Sequence, residues 1–111
     1  MTDKIVVLVT TGTLKEARKI ARRLVEARLA ACVNLCPPIR SIYRWQGKIA
    51  DEREYLLLIK TKRCLFGELK DAILNCHSYT TPEILCLPVI KGSQDYLQWI
   101  NASVKRGAEE E

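Results

Sequence analysis

Two runs in this chain are apolar at every position: Ile5-Val6-Val7-Leu8-Val9 and Tyr55-Leu56-Leu57-Leu58-Ile59. A strand with one wet face alternates between apolar and polar residues. A strand that does not alternate must be covered on both sides. Two other extended stretches contain prolines: Pro37-Pro38 interrupts residues 31–45, and Pro88 falls within residues 83–90. Proline cannot donate a ladder hydrogen bond, so it is confined to edges and bulges. The pattern therefore predicts four strands, with the first and third central and the second and fourth at the edges.

Helical signals separate them. Thr13 and Glu16 form a T-x-x-E capping box, so a helix starts near Leu14. Leu14, Ala17, Ile20, Ala21, Leu24 and Val25 make its apolar stripe. Lys15, Arg18, Lys19, Arg22 and Arg23 occupy the other side, and the helix runs out near Arg28 or Leu29. The second strand is expected over residues 31–35, resuming over 39–45. Alternation places Ser41, Tyr43 and Trp45 on one face and Arg40, Ile42 and Arg44 on the other. Gln46-Gly47 supplies a tight turn. Residues 48–54 are polar and are expected to reach beyond the body of the domain, ahead of the third strand at 55–59. A second helix is predicted over about 62–75, a fourth strand over 83–90, and a last helix from Gln94 to about Val104. A tail from about residue 106, with Gly107 and three terminal glutamates, is expected to be solvated. The order β-α-β-β-α-β plus a terminal helix is the split-βαβ, ferredoxin-like α+β arrangement, in one domain spanning 1–111.

In that topology two helices cover one sheet face. The other face would be bare, although both central strands are apolar throughout. The terminal helix covers part of it, and a second subunit is the simplest cover for the rest, so a homo-oligomer is expected. With 48% hydrophobic residues, 111 residues can fill a core. The net charge of +5 falls largely on one helix face, which reads as a solvated surface. The third strand offers Tyr55 and then three leucines, a poor platform for stacking bases, so a nucleic-acid partner is not expected. Residues 5–9 are too few for a signal core or a membrane span. Five cysteines without a C-x-x-C pair point to a reducing cytoplasm and mostly buried thiols.

Polar chemistry concentrates in Cys76-His77-Ser78-Tyr79-Thr80-Thr81-Pro82-Glu83, which holds the sole histidine. Cys76 and His77 are adjacent donors suited to copper or zinc. Each has a plainer role, as a core thiol and as a histidine at a helix C-terminus. Glu83 is a cation contact or a surface carboxylate at a strand start. Lys60, closing a buried strand, pairs with Glu83, binds an anion, or extends to the rim. Tyr43, Trp45 and Tyr79 line a cleft, or the first two anchor an interface. The chain has no nucleophile–base pair, Walker loop or dinucleotide fingerprint, and no enzymatic activity is expected.

Five blocks carry a resemblance over nearly the whole chain: Leu29-Ala30-Ala31-Cys32-Val33-Asn34; Ser41 through Ile49; Leu58-Ile59-Lys60-Thr61; His77-Ser78-Tyr79 with Pro82-Glu83-Ile84; and Asp95 through Ile100. In this order and spacing they resemble the CutA family of divalent-cation tolerance proteins. The resemblance implies a homotrimer similar in architecture to P-II-type signalling proteins, and a cytoplasmic role in tolerance to copper and other divalent cations. His77 stands at the family's histidine position. Cys76 replaces a second histidine of some relatives, and Val9 stands where some carry a cysteine. The resemblance thus implies copper(II) or another divalent cation, weakly bound by His77, Cys76 and either a carboxylate such as Glu83 or water. The alternative is a signalling or scaffold trimer with a small metabolite in inter-subunit clefts lined by Tyr43, Trp45, Lys60 and Tyr79.

Overall fold

A computed structural model describes residues 1–107 and turns the two apolar runs into neighbouring central strands. Strand β1 (Lys4–Thr11) pairs antiparallel with β4 (Lys48–Lys62) along its whole length, from Lys4 opposite Lys62 to Thr11 opposite Tyr55. Strand β2 (Cys32–Leu35) flanks β4, and β5 (Ile84–Pro88) flanks β1, so the sheet order is β2-β4-β1-β5. The proline-bearing segments lie at the edges, as their missing donors require. The fold is the expected α+β arrangement.

Helices α1 (Leu14–Glu26) and α2 (Phe66–Cys76) cover one sheet face. The core there joins Ile5, Val7 and Val9 of β1 and Leu57 and Ile59 of β4 to Ile20, Leu24, Leu69 and Ile73 of the helices. Each of these buried aliphatic side chains contributes roughly 2 kcal/mol. The other face carries Val6 and Leu8 of β1, Leu58 and Lys60 of β4, and Leu85 and Leu87 of β5. Helix α3 (Gln94–Ser103) lies over one end of it, burying Ile100 and Val104 and placing Tyr96 beside Cys32. Beyond α3, Leu85 and Leu87 remain 56% and 47% exposed. Within one chain the central strands are therefore fully buried on a single face, not on both.

The polar stretch 48–54 reaches beyond the body of the domain, as expected, and does so as strand. It is the first half of the 15-residue β4, paired with β3 (Ile39–Trp45) in a hairpin. The two strands form an arm projecting from the sheet, and the molecule measures 45 Å along its longest axis against 27 and 23 Å across. Gln46 and Gly47 join them at φ of 50° and 78°, the left-handed pair that a two-residue I′ turn requires.

The prolines act as a bulge. Leu35 pairs with Leu57, while Ile39 pairs with Glu54, so residues 36–38 oppose only 55 and 56. The extra residue shifts the side-chain phase. Even-numbered Cys32 and Asn34 share a face with Lys60 and Leu58. Across the bulge, odd-numbered Tyr43 lies opposite Ala50 and so shares a face with Glu52 and Glu54.

Local signals hold with small shifts. Thr13 caps α1, its hydroxyl accepting the Glu16 N–H at 3.1 Å, and the helix stops before Arg28, which takes φ 58°. Lys62 extends β4, and a short 3-10 turn (Arg63–Leu65) precedes α2. Gly107 is not solvated: it is buried against Cys64, where an added Cβ would collide with the thiol. The terminal glutamates lie outside the described residues. No helix among these is long and apolar enough to cross a membrane.

Candidate functional site

The segment joining α2 to β5 begins where the His77 N–H closes the last helical turn on the Ile73 carbonyl at 2.9 Å. Its backbone then extends (φ −85°, ψ 140°) and drives the imidazole inward. The His77 side chain is 0% exposed. Nε2 donates to the Thr10 carbonyl at the end of β1 at 2.7 Å, and Nδ1 accepts the Tyr79 N–H at 3.0 Å. One donor and one acceptor role define a neutral tautomer with its proton on Nε2. Glu16 holds the next residue, one carboxylate oxygen accepting the Ser78 N–H at 2.7 Å and the other the Ser78 hydroxyl at 3.1 Å. The capping box is thus half formed, because Glu16 serves this turn instead of reaching back to Thr13.

Tyr79 packs on the His77 ring, centroids 4.8 Å apart, and its hydroxyl donates to Glu54 Oε2 at 2.9 Å. Gly12 makes room for that hydroxyl, since a Cβ there would sit 3.1 Å from it. Glu54 is only 6% exposed. Burial, and then the charge of Glu54, raises the Glu83 carboxyl above its ordinary value. Burial raises the Tyr79 phenol strongly, with the hydrogen bond and charge of Glu54 adding to it. Desolvation followed by Glu52 and Glu54 raises the Tyr43 phenol. Glu54 and Glu83, with the phenols of Tyr79 and Tyr43, therefore form one electrostatic unit at the base of the arm.

This differs from the expected ligand set. No three His, Cys, Asp or Glu side chains among the described residues converge to hold a metal, so Cys76, His77 and Glu83 are not three donors of one site within the chain. The Cys76 thiol turns back along its own helix to the Ala72 and Ile73 carbonyls, 3.1 and 3.7 Å away. Burial pushes it up, with Arg23 and Lys19 pulling the other way. Both His77 nitrogens are already used. Of the expected cleft residues, Tyr43 and Tyr79 come together. Trp45 sits at the far end of the arm opposite Lys48. Lys60 lies on the same sheet face as Glu54 but six residues along β4, about 20 Å away. It donates to Asn34 rather than pairing with Glu83. The thiols also differ from expectation: four are partly buried and Cys86 is exposed.

Sequence reasoning missed Thr10, Gly12, Glu16 and Glu54. Glu16 already had a local explanation, as the partner of Thr13 in the capping box. For Glu54 a signal existed: continuing the period of two back from Lys60, Leu58 and Leu56 puts it on their face.

Residues 5–103, from β1 through α3, match the family described as CutA1 divalent ion tolerance protein. The chain belongs to the CutA1 family. The divalent-cation tolerance protein CutA of Thermus thermophilus is 50% identical over 95 residues, spanning 86% of this chain and 92% of that protein. A solved structure of the Cut A1 protein from the same organism superposes with a TM-score of 0.90 at 46% identity, covering 92% of this chain and 99% of the other. That of the protein called periplasmic divalent cation tolerance protein CutA, from Archaeoglobus fulgidus, gives 0.89 at 40% identity with coverages of 92% and 99%. The CutA1 description names a tolerance protein rather than a class of enzyme.

Proposed function

We propose that this chain is a non-enzymatic, self-associating protein of divalent-cation tolerance that binds a divalent cation, copper(II) among them, weakly. The carrying observation is the nearly buried Glu54 carboxylate beside Glu83, whose charged form is disfavoured by burial and by Glu54 itself. Two neighbouring carboxylates, one nearly buried and one at the surface, repel each other, and a cation between them relieves that repulsion. Glu83 and Glu54 supply two oxygen donors, and water or groups from a second copy complete the shell. Cys76 and His77 enter only if the turn rearranges.

Self-association as a homotrimer is supported by the half-open sheet face at Leu85 and Leu87 and by the apolar arm residues Ile42, Trp45 and Ile49, all exposed in the single chain. A cytoplasmic location accords with five free cysteines, though the A. fulgidus relative bears a periplasmic name. Calorimetric titration with copper(II) and zinc tests the site. Glu83→Gln weakens binding about tenfold, the effect of losing one charged ligand, while Cys76→Ser leaves it unchanged. The opposite ranking restores the thiol–imidazole set and removes the carboxylate one.

A second reading is a small metabolite held between subunits. It is favoured by Tyr43 and Trp45, both exposed on one arm face. It requires a second copy to bring Lys60 toward them. Thermal-shift screening checks it, and Lys60→Ala abolishes any ligand-induced stabilisation.

A further inference from the structure

Glu54 stands at a singular place in β4. Pairing with β1 ends one residue beyond it, at Tyr55, and pairing with β3 begins at Glu54 itself. On its C-terminal side β4 is held between two strands. On its N-terminal side it belongs to a two-stranded ribbon, which is marginal in isolation and bends readily. Glu54 is the last point at which the body can set the ribbon's direction. Its side chain is held there by the Tyr79 hydroxyl at 2.9 Å.

Tyr79 is itself anchored by the body. Its N–H is fixed on His77, whose ring is fixed on Thr10 of β1, and neighbouring Ser78 is fixed on Glu16 of α1. Gly12 leaves the space through which the hydroxyl reaches the carboxylate. The ring therefore spans from the rigid α1–β1 corner to the root of the arm.

We infer that Tyr79 is a positioning residue that sets the angle of the β3–β4 arm through Glu54, and so couples the turn at residues 77–83 to subunit association. From Glu54 to the hairpin tip is about seven residues, roughly 23 Å of strand. A swing of about 10° at the root displaces the tip by about 4 Å, more than close-packed side chains tolerate. The arm carries Ile42, Tyr43, Trp45 and Ile49, so its angle decides where these meet a second copy. The coupling to association rests on the self-associating reading above. The hold on the arm does not.

The test is hydrogen–deuterium exchange of the full chain with sedimentation on the same samples. Tyr79→Phe keeps the ring and removes the donor. Exchange over residues 39–54 is expected to rise about tenfold, as for loss of a hydrogen bond to a charged group. Residues 5–9 and 55–59 keep their wild-type rates, and subunit dissociation shifts to higher concentration. Gly12→Ala, whose Cβ presses the hydroxyl aside by a few tenths of an ångström, raises arm exchange in the same direction by less. Glu54→Gln retains an acceptor without its charge and loosens the arm by less than Tyr79→Phe does. Unchanged arm exchange in both Tyr79→Phe and Gly12→Ala overturns the inference, as does faster exchange spread evenly over body and arm. A loosened arm with unchanged dissociation overturns the coupling to association. A wild-type chain that sediments as a monomer removes the self-associating reading and the coupling with it. Exchange over 39–54 then still decides the hold on the arm.

Discussion

Replacing His77 with alanine separates a structural histidine from a metal ligand. The substitution removes a side chain that is 0% exposed and both of its hydrogen bonds. The Tyr79 N–H loses its acceptor and the Thr10 carbonyl its imidazole donor. Each buried group left unpaired costs about 1–3 kcal/mol. Water entering the vacated space recovers part of this, while loss of the ring contact with Tyr79 adds to it. The net expectation is about 3 kcal/mol, a factor of roughly 150 in the folding constant. The assay is guanidinium unfolding followed by circular dichroism at one fixed chain concentration, because association contributes by mass action. It is run in a chelator, so that no metal contributes. A loss below about 1 kcal/mol in chelator, with a larger gap between variant and wild type only once copper is added, would falsify the structural role and reinstate His77 as a ligand.

Three further outcomes follow from the same geometry. The Glu83 carboxyl is raised by burial first and Glu54 second, so its contribution to stability is complete below the unfolded-state value and is lost as pH rises through the folded one. Metal-free Glu83→Gln is therefore more stable than wild type at neutral pH, and the gap closes below about pH 4 in thermal melts. Gln46 occupies a left-handed position at φ 50°, which asparagine adopts more readily, so Gln46→Asn stabilises the arm by about 0.5 kcal/mol. This is read as slower amide exchange over residues 39–54. Thr13→Ala removes the hydroxyl that accepts the Glu16 N–H and costs about 1 kcal/mol in denaturant unfolding.

The sheet order was legible because it depends on where prolines cannot go and where apolar runs must. Both are one-dimensional properties of Pro37-Pro38, Pro88 and the two central runs. The arm was half legible. Residues 48–53 are mostly polar because that part of the projecting ribbon is largely exposed in the single chain, and polarity alone does not distinguish a strand from a loop. The site was the least legible part. Cys76 and His77 attracted a metal reading because sequence shows which donors are present but not what already occupies them. Thr10 and Tyr79, which take up the His77 nitrogens, contribute main-chain groups that every residue carries. Glu54 is 29 residues from Glu83, and only the long β4 strand brings them together.

The phase shift across residues 36–38 is confined to one strand of the pair, so the facing of the arm is set elsewhere. Removing one residue there would leave each strand with its composition intact and restore an unbroken ladder. It would still leave Ile39 opposite Glu54 and Tyr43 opposite Ala50, because the turn at Gln46-Gly47 fixes that register. The break behaves as a slack point: it absorbs one extra residue, while the hairpin turn decides that the carboxylates at the root of the arm meet phenols rather than guanidinium groups. Related chains are therefore expected to vary in the number of residues across 36–38 more freely than in the number that make the hairpin turn.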